Sequence, residues 1–228
     1  MRSAALATLL LAASWTAFGS GGGSMPTDRS MGQASRLSEA PSPEEQARSA
    51  YNAGVKSVEK ADELAADAAR QTDAKKQAKM QAKSKDAYES ALKKFSKAVE
   101  AKPNMFEAWN YVGYTNRKLG NYEIALQAYD RALALKPGYP EAIEYRGHAY
   151  LGLNRLSEAK EAYLTLYSNN RKLAAQLLTG MQEWIGAHRD GGNMDAATVD
   201  SFSAWVSERS SIAAKTAGLT REGANAAW

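Results

Sequence analysis

The chain holds no cysteine in 228 residues and only two histidines. The first absence excludes disulfides, thiol nucleophiles and thiolate metal sites. It also excludes the lipidated cysteine of a bacterial lipoprotein, which would stand at about Ser20. Beyond the N-terminus no apolar run approaches the ~20 residues that cross a bilayer, so no transmembrane segment is expected. Proline is scarce, six in all, and no stretch alternates apolar and polar residues with period two, which argues against strands. A broad basic surface is lacking too. The net charge is +4, but 13 Lys/Arg against 10 Asp/Glu fall in residues 43–103, while 104–170 and 171–228 are balanced. Nucleic-acid binding needs a wider basic footprint and is not expected.

What is present begins with "MRSAALATLLLAASWTAFGS". Arg2 precedes an apolar run from Ala4 to Ala17, and small residues follow at Gly19 and Ser20. This layout predicts a secretory signal peptide over residues 1–19 and a periplasmic or secreted mature protein. Residues 20–42 are rich in Gly, Ser and Pro and read as a flexible linker. Order is expected from Ser42, which can cap a helix with Pro43 in its first turn and Glu45 completing a capping box. From there to Ala217 the strong breakers are Pro103, Gly120, the Pro137–Pro140 turn, Asn169-Asn170 and Gly191-Gly192. Between them apolar residues recur at i, i+3, i+4 and i+7, so the fold class is all-α.

A repeat runs through these helices. Gly113, Leu119, Tyr122, Ala125 and Tyr129 are followed 34 residues later by Gly147, Leu153, Leu156, Ala159 and Tyr163. The chain thereby resembles the tetratricopeptide repeat (TPR) family, whose helix-turn-helix unit carries W-x2-L-G-x2-Y…A-x3-F…P. In residues 106–139, Trp109, Val112, Gly113, Ala125, Tyr129, Ala132 and Pro137 take those places, and Asn116 departs at the Tyr. In 140–169, Gly147, Tyr150, Ala159 and Tyr163 match, while Ile143, Leu166 and Arg171 depart. Tyr88, Ala91, Phe95, Ala98 and Pro103 extend the pattern backwards. The resemblance implies a right-handed solenoid of antiparallel helix pairs. Gly54, Gly113 and Gly147 are small where two helices must approach, and Trp109, Tyr129 and Tyr163 are expected to fill the space they leave.

In the first unit, 43–104, the stretch from Ala47 to Pro103 has 57 positions where the repeat needs 32, an excess of 25. With one good capping site, Thr72-Asp73, the excess predicts two lengthened helices. Their seam would be rich in alanine, with Ala61, Leu64, Ala65 and Ala68 facing Ala74, Ala78, Met80 and Ala82. The array is thus expected over 43–169. Capping helices follow at 170–217, cored by Trp184 and Trp205, and then a loose tail at 218–228.

Catalytic residues are not marked, and no cofactor is implied. Glu144 and His148, at i and i+4, have the spacing of two metal ligands, but no third accompanies them, so no metal is expected. The resemblance implies a concave groove lined by the first helix of each unit, here Glu107, Asn110, Tyr114, Arg117 and Lys118, then Glu141, Glu144, His148 and Leu151. Tyr114 and Leu151 are expected to grip apolar side chains, and Asn110 to bond a peptide backbone. The Lys/Asn arrangement that clamps a terminal carboxylate in some relatives is absent. Lys75, Lys76, Lys79 and Lys83 form a basic stripe on the hairpin, faced by Glu59, Asp62, Glu63 and Asp67 as neutralising partners.

These features point to a non-catalytic scaffold of the bacterial cell envelope that takes a protein or peptide partner in its groove. The alternative is a structural protein held peripherally on anionic wall or membrane polymer through the basic hairpin. A metal-dependent hydrolase built on Glu144 and His148 is a third, weaker reading. The oligomeric state stays open.

Overall fold

Ser42 opens the first helix. Its hydroxyl accepts a hydrogen bond from the Glu45 N–H, and the Glu45 carboxylate accepts one from the Ser42 N–H, which satisfies donors that a helix start leaves over. The computed structural model describes residues 40–189 and 194–225, with side chains through 216. The expected signal peptide, the linker up to residue 39, Gly191-Gly192 and the last three residues lie outside that range. Residues from Pro41 onward form one compact unit.

Eight helices follow one another among the described residues. They are α1 (Pro43–Arg70), α2 (Ala74–Ala101), α3 (Phe106–Lys118), α4 (Tyr122–Leu135), α5 (Pro140–Gly152), α6 (Leu156–Asn169), α7 (Arg171–Arg189) and α8 (Ala196–Asn225). Each packs on its neighbours in sequence. In addition α3 lies against α5, and α5 against α7, so the first helices of successive pairs stand side by side. This nearest-neighbour packing is that of an all-α helical repeat of the tetratricopeptide type, because a single pair cannot bury its apolar face alone.

The first pair is the extended hairpin. Both of its helices have 28 residues, against 13 and 14 in the pairs that follow, so it runs roughly 20 Å longer at ~1.5 Å per residue. Asp73 caps α2 by accepting from the Lys76 N–H at 2.9 Å. The seam differs from the alanine ladder expected. Ala61 and Ala68 are buried on α1 and Met80 is half-buried on α2, but Ala74, Ala78 and Ala82 are exposed, and Gln77 and Ser84 face α1 in their place. Ser84 Oγ donates to the Ala61 carbonyl at 2.8 Å. The register is set from the other end, where the large rings of Phe95 and Tyr88 are buried. Stepping back from them by turns of helix brings Ser84 and Met80 inward and turns the alanines out.

Close approach explains the glycines. A methyl group at Gly54 would meet the Phe95 ring, and one at Gly113 the Tyr129 ring, each well inside 3.0 Å. At Gly147 the filler is Leu177 of α7, rather than Tyr163, because α7 takes the place of the next unit's first helix. The cap is fastened by Trp184, whose Nε1 donates to Asn154 Oδ1 at 3.0 Å and whose ring stacks on His188 at 3.9 Å. The last helix does not end near Gly218 but continues to Asn225. The residues after Gly218 include no proline, and one glycine costs a helix only about 1 kcal/mol.

Candidate functional site

The first helices α1, α3 and α5 line one face of the array, and aromatic rings join them. Tyr51 of α1 meets Tyr111 of α3 edge-on at 5.6 Å, and Tyr111 stacks on Phe95 at 4.8 Å. Tyr111 then meets Tyr114 at 6.2 Å, and Tyr114 crosses to Tyr145 of α5 at 5.0 Å. Arg117 lies over the Tyr114 and Tyr145 rings at 5.2 and 5.6 Å, the geometry of a cation–π contact.

Asp62, a residue of the lengthened part of α1, ties this face to the hairpin. Tyr88 and Tyr114 both donate their hydroxyls to its carboxylate, and Lys118 Nζ stands 3.6 Å away. Burial, then the Asp62 charge and its hydrogen bond, push the Tyr114 hydroxyl far above its ordinary range, because ionising it would place two negative charges together. Tyr114 and Lys118 are therefore held by the protein itself. Asp62 is engaged here and is not a partner for the basic stripe.

The remaining groove residues fall into two groups. Glu107 and Glu141 are half-buried and make no ion pair among the described residues. Asn110 is 2% exposed, and its Oδ1, without a hydrogen-bond partner among the described residues, is sealed from solvent, at a cost of about 1–3 kcal/mol; that oxygen is therefore not open to the peptide backbone it was expected to bond. Further along, the groove residues are taken up by the cap. Glu144 pairs with His148 at 2.8 Å, the His148 ring lies against Gly180 of α7, and Leu151, 4% exposed, belongs to the core beneath the cap. Leu151 thus packs against its own chain and offers no grip to a ligand. Among the described residues no group of three His, Asp or Glu gathers as metal ligands.

Lys75, Lys76, Lys79 and Lys83 are exposed on α2, and none forms an ion pair among the described residues. Asp67 pairs with Arg70 at 2.5 Å on its own helix. Among the described residues no ion pair joins these lysines to Glu59, Asp62, Glu63 or Asp67, and Asp62 and Asp67 are engaged elsewhere. The residues that sequence reasoning missed are Asp62, Tyr88, Tyr111 and Tyr145. Tyr111 and Tyr145 were within reach, being themselves 34 residues apart. Asp62 was not, because it lies in a segment that no other unit repeats.

Residues 82–140 match the family model described as tetratricopeptide repeat. No curated protein matches the chain. Among solved structures, the first TPR of Spaghetti (RPAP3) bound to HSP90 peptide SRMEEVD is 25% identical, with a TM-score of 0.38. That match covers 55% of this chain and 93% of the other. The MamA RS-1 ArsTM double mutant is 20% identical, with a TM-score of 0.37, covering 72% of this chain and 93% of the other. The class defined by the fold and the matched residues is a helical-repeat protein of the tetratricopeptide type. That class suggests a protein-interaction scaffold, typically without catalysis. No helix among the described residues is long and apolar enough to cross a membrane.

Proposed function

We propose that this protein is a non-catalytic adaptor of the bacterial cell envelope, exported by its N-terminal segment, and that it holds an extended segment of a partner protein along the α1–α3–α5 face. The observation that carries the binding reading is the connected row of tyrosine rings, Tyr51, Tyr111, Tyr114 and Tyr145, across α1, α3 and α5. Such rings supply rigid contact area at low entropic cost. Tyr145→Ala is expected to weaken capture of a partner from envelope extract by about 1–3 kcal/mol, the cost of a truncated anchor. Lys79→Glu, on the exposed side of the hairpin, is expected to leave capture unchanged. Circular dichroism of both variants controls for folding. Loss with Lys79→Glu and retention with Tyr145→Ala would reject the groove.

Export is proposed from Arg2 and the apolar run to Ala17 alone. The mature chain is expected to begin near Ser20, as read by mass spectrometry of the fractionated protein. An intact Met1 in the cytosol would refute the proposed location.

A second reading rests on the unpaired lysines. A cleft of about 550 Å³ on the hairpin is lined by Lys60, Lys83 and Lys94 against the single acid Asp86, with Ser57 and Ser90, and Lys75, Lys76 and Lys79 continue the positive charge along α2. Such a surface fits an anionic wall or membrane polymer. Binding of that kind collapses with modest added salt, whereas the groove contacts, being largely aromatic, do not.

A further inference from the structure

The cap leaves a slot among three helices. A cavity of about 390 Å³ lies between the end of α6, the start of α7 and the second half of α8. Arg171, Ala174, Ala175 and Leu178 line it from successive turns of α7, so it runs roughly 10 Å along that helix at ~1.5 Å per residue. Its sides are the stacked rings of Tyr163 and Tyr167, 5.6 Å apart, and Ala213 of α8. Nearer the α7–α8 turn, large side chains close the contact between these helices, with Trp184 meeting Phe202 edge-on at 5.3 Å. Here alanines stand in their place, and space remains.

The two ends of the slot differ in chemistry. Tyr163, Ala174 and Leu178 are buried, whereas Arg171 and Ala175 are exposed, so the slot deepens from a charged mouth to an apolar floor. The Arg171 guanidinium is held 3.5 Å from the centre of the Tyr167 ring. The Tyr167 hydroxyl and Thr216 Oγ1, hydrogen-bonded at 3.2 Å, flank the same end. Among the described residues no acidic side chain lines the slot, and Arg171 makes no ion pair. Arg209, one turn before Ala213, is instead paired with Glu208 at 3.0 Å. The hydrogen bond with Thr216, and then Arg171, lower the Tyr167 hydroxyl, so the mouth favours negative charge.

We propose that this slot binds a free medium-chain fatty acid, with its acyl chain between the rings and the alanines toward Leu178 and its carboxylate on Arg171. Apolar burial drives the chain in, as in small-molecule sites of this size. The carboxylate matches the paired N–H donors of a planar guanidinium. A bounded cavity two turns of helix long suits a small amphiphile better than a polypeptide segment. The slot belongs to the cap, apart from the α1–α3–α5 face, and does not depend on the function proposed above.

The test is calorimetric titration of the full chain with decanoate, decanol and decylamine, each below its critical micelle concentration. Decanoate is expected to bind at one site and to raise the melting temperature, with decanol weaker and decylamine weakest. Arg171→Gln is expected to weaken decanoate roughly tenfold and to leave decanol unchanged. Ala175→Leu fills the slot from an exposed position and is expected to abolish binding of both, while Tyr145→Ala changes neither. Methyl NMR shifts caused by decanoate should concentrate at Ala174, Leu178 and Ala213. Failure of decanoate to bind, equal binding to wild type and Arg171→Gln, or decylamine binding as tightly as decanoate would each overturn the inference. Shifts spread over the chain would do the same. If Ala175→Leu does not fold, the Arg171→Gln comparison and the NMR shifts decide alone.

Discussion

Tyr129→Ala is expected to cost about 3–5 kcal/mol of folding free energy, the usual range for deleting a large buried ring. The ring is 0% exposed and occupies the space that Gly113 leaves open between α3 and α4. Its loss leaves a cavity in the pair on which both the hairpin and α5 rest. The complementary change, Gly113→Ala, drives a methyl group into the same ring and is expected to cost about 1–3 kcal/mol by overpacking. The better helix propensity of alanine offsets part of this. Combined, the two changes should cost less than their sum, because alanine at 113 enters the cavity made at 129. Urea unfolding of the single and double variants measures each value. Strict additivity would show that the glycine and the ring are not paired as described.

The second large effect is expected at alkaline pH. Burial raises the hydroxyls of Tyr51 and Tyr145 from 10.0 to about 12. Those of Tyr88, Tyr114, Tyr129 and Tyr139 go higher, with the Asp62 carboxylate adding to burial at Tyr88 and Tyr114. The folded state thus keeps protons that the unfolded chain releases near pH 10. A raised folded value means that this stabilisation is complete below pH 10 and is lost as the pH climbs from there toward 12 and beyond. The slope is about 1.4 kcal/mol per pH unit for each fully protected tyrosine, and less for half-exposed Tyr51, which solvent screens. Stability is therefore expected to be flat in tyrosine terms up to about pH 10 and then to fall steeply. Unfolding should precede ionisation of the groove tyrosines, so tyrosinate absorbance and loss of helical signal should rise together. Tyr167 is the exception: its hydrogen bond with Thr216, and then Arg171, lower its hydroxyl, so it should ionise first and without unfolding. Gradual ionisation of Tyr51, Tyr88, Tyr114, Tyr129, Tyr139 and Tyr145 in a still-helical protein would contradict the burial described.

Some of the site was legible before the fold was known. The interval of 34 residues carries the solenoid, because each unit must present its small and large residues at the same places to stack on the next. Gly113 against Tyr129, the Ser42 capping box and the Asp73 turn follow from local sequence, since caps and glycine contacts depend on residue type at fixed short spacing. The place of Glu107, Asn110 and Glu141 on the groove stripe is what the tetratricopeptide resemblance implies.

Other features depended on packing between distant segments. Local sequence determined that 43–104 forms two long helices, but the tertiary structure decided which side of α2 faces α1. Burial of Tyr88 and Phe95 outweighs an alanine stripe that has almost no area to bury. No repeat spacing brings Asp62 to Tyr88 and Tyr114, because its turns of helix have no counterpart in the other units. The sequence likewise marked Leu151, Glu144 and His148 as groove residues. Docking of α7 on α5 buries Leu151 in the core, leaves Glu144 to pair with His148, and sets the His148 ring against Gly180. What sequence alone determined is the unit and its period, which are set by contacts within and between adjacent helices. What only the tertiary structure decided is which of those repeated positions remain open, because that depends on the hairpin at one end and the cap at the other, where the repetition stops.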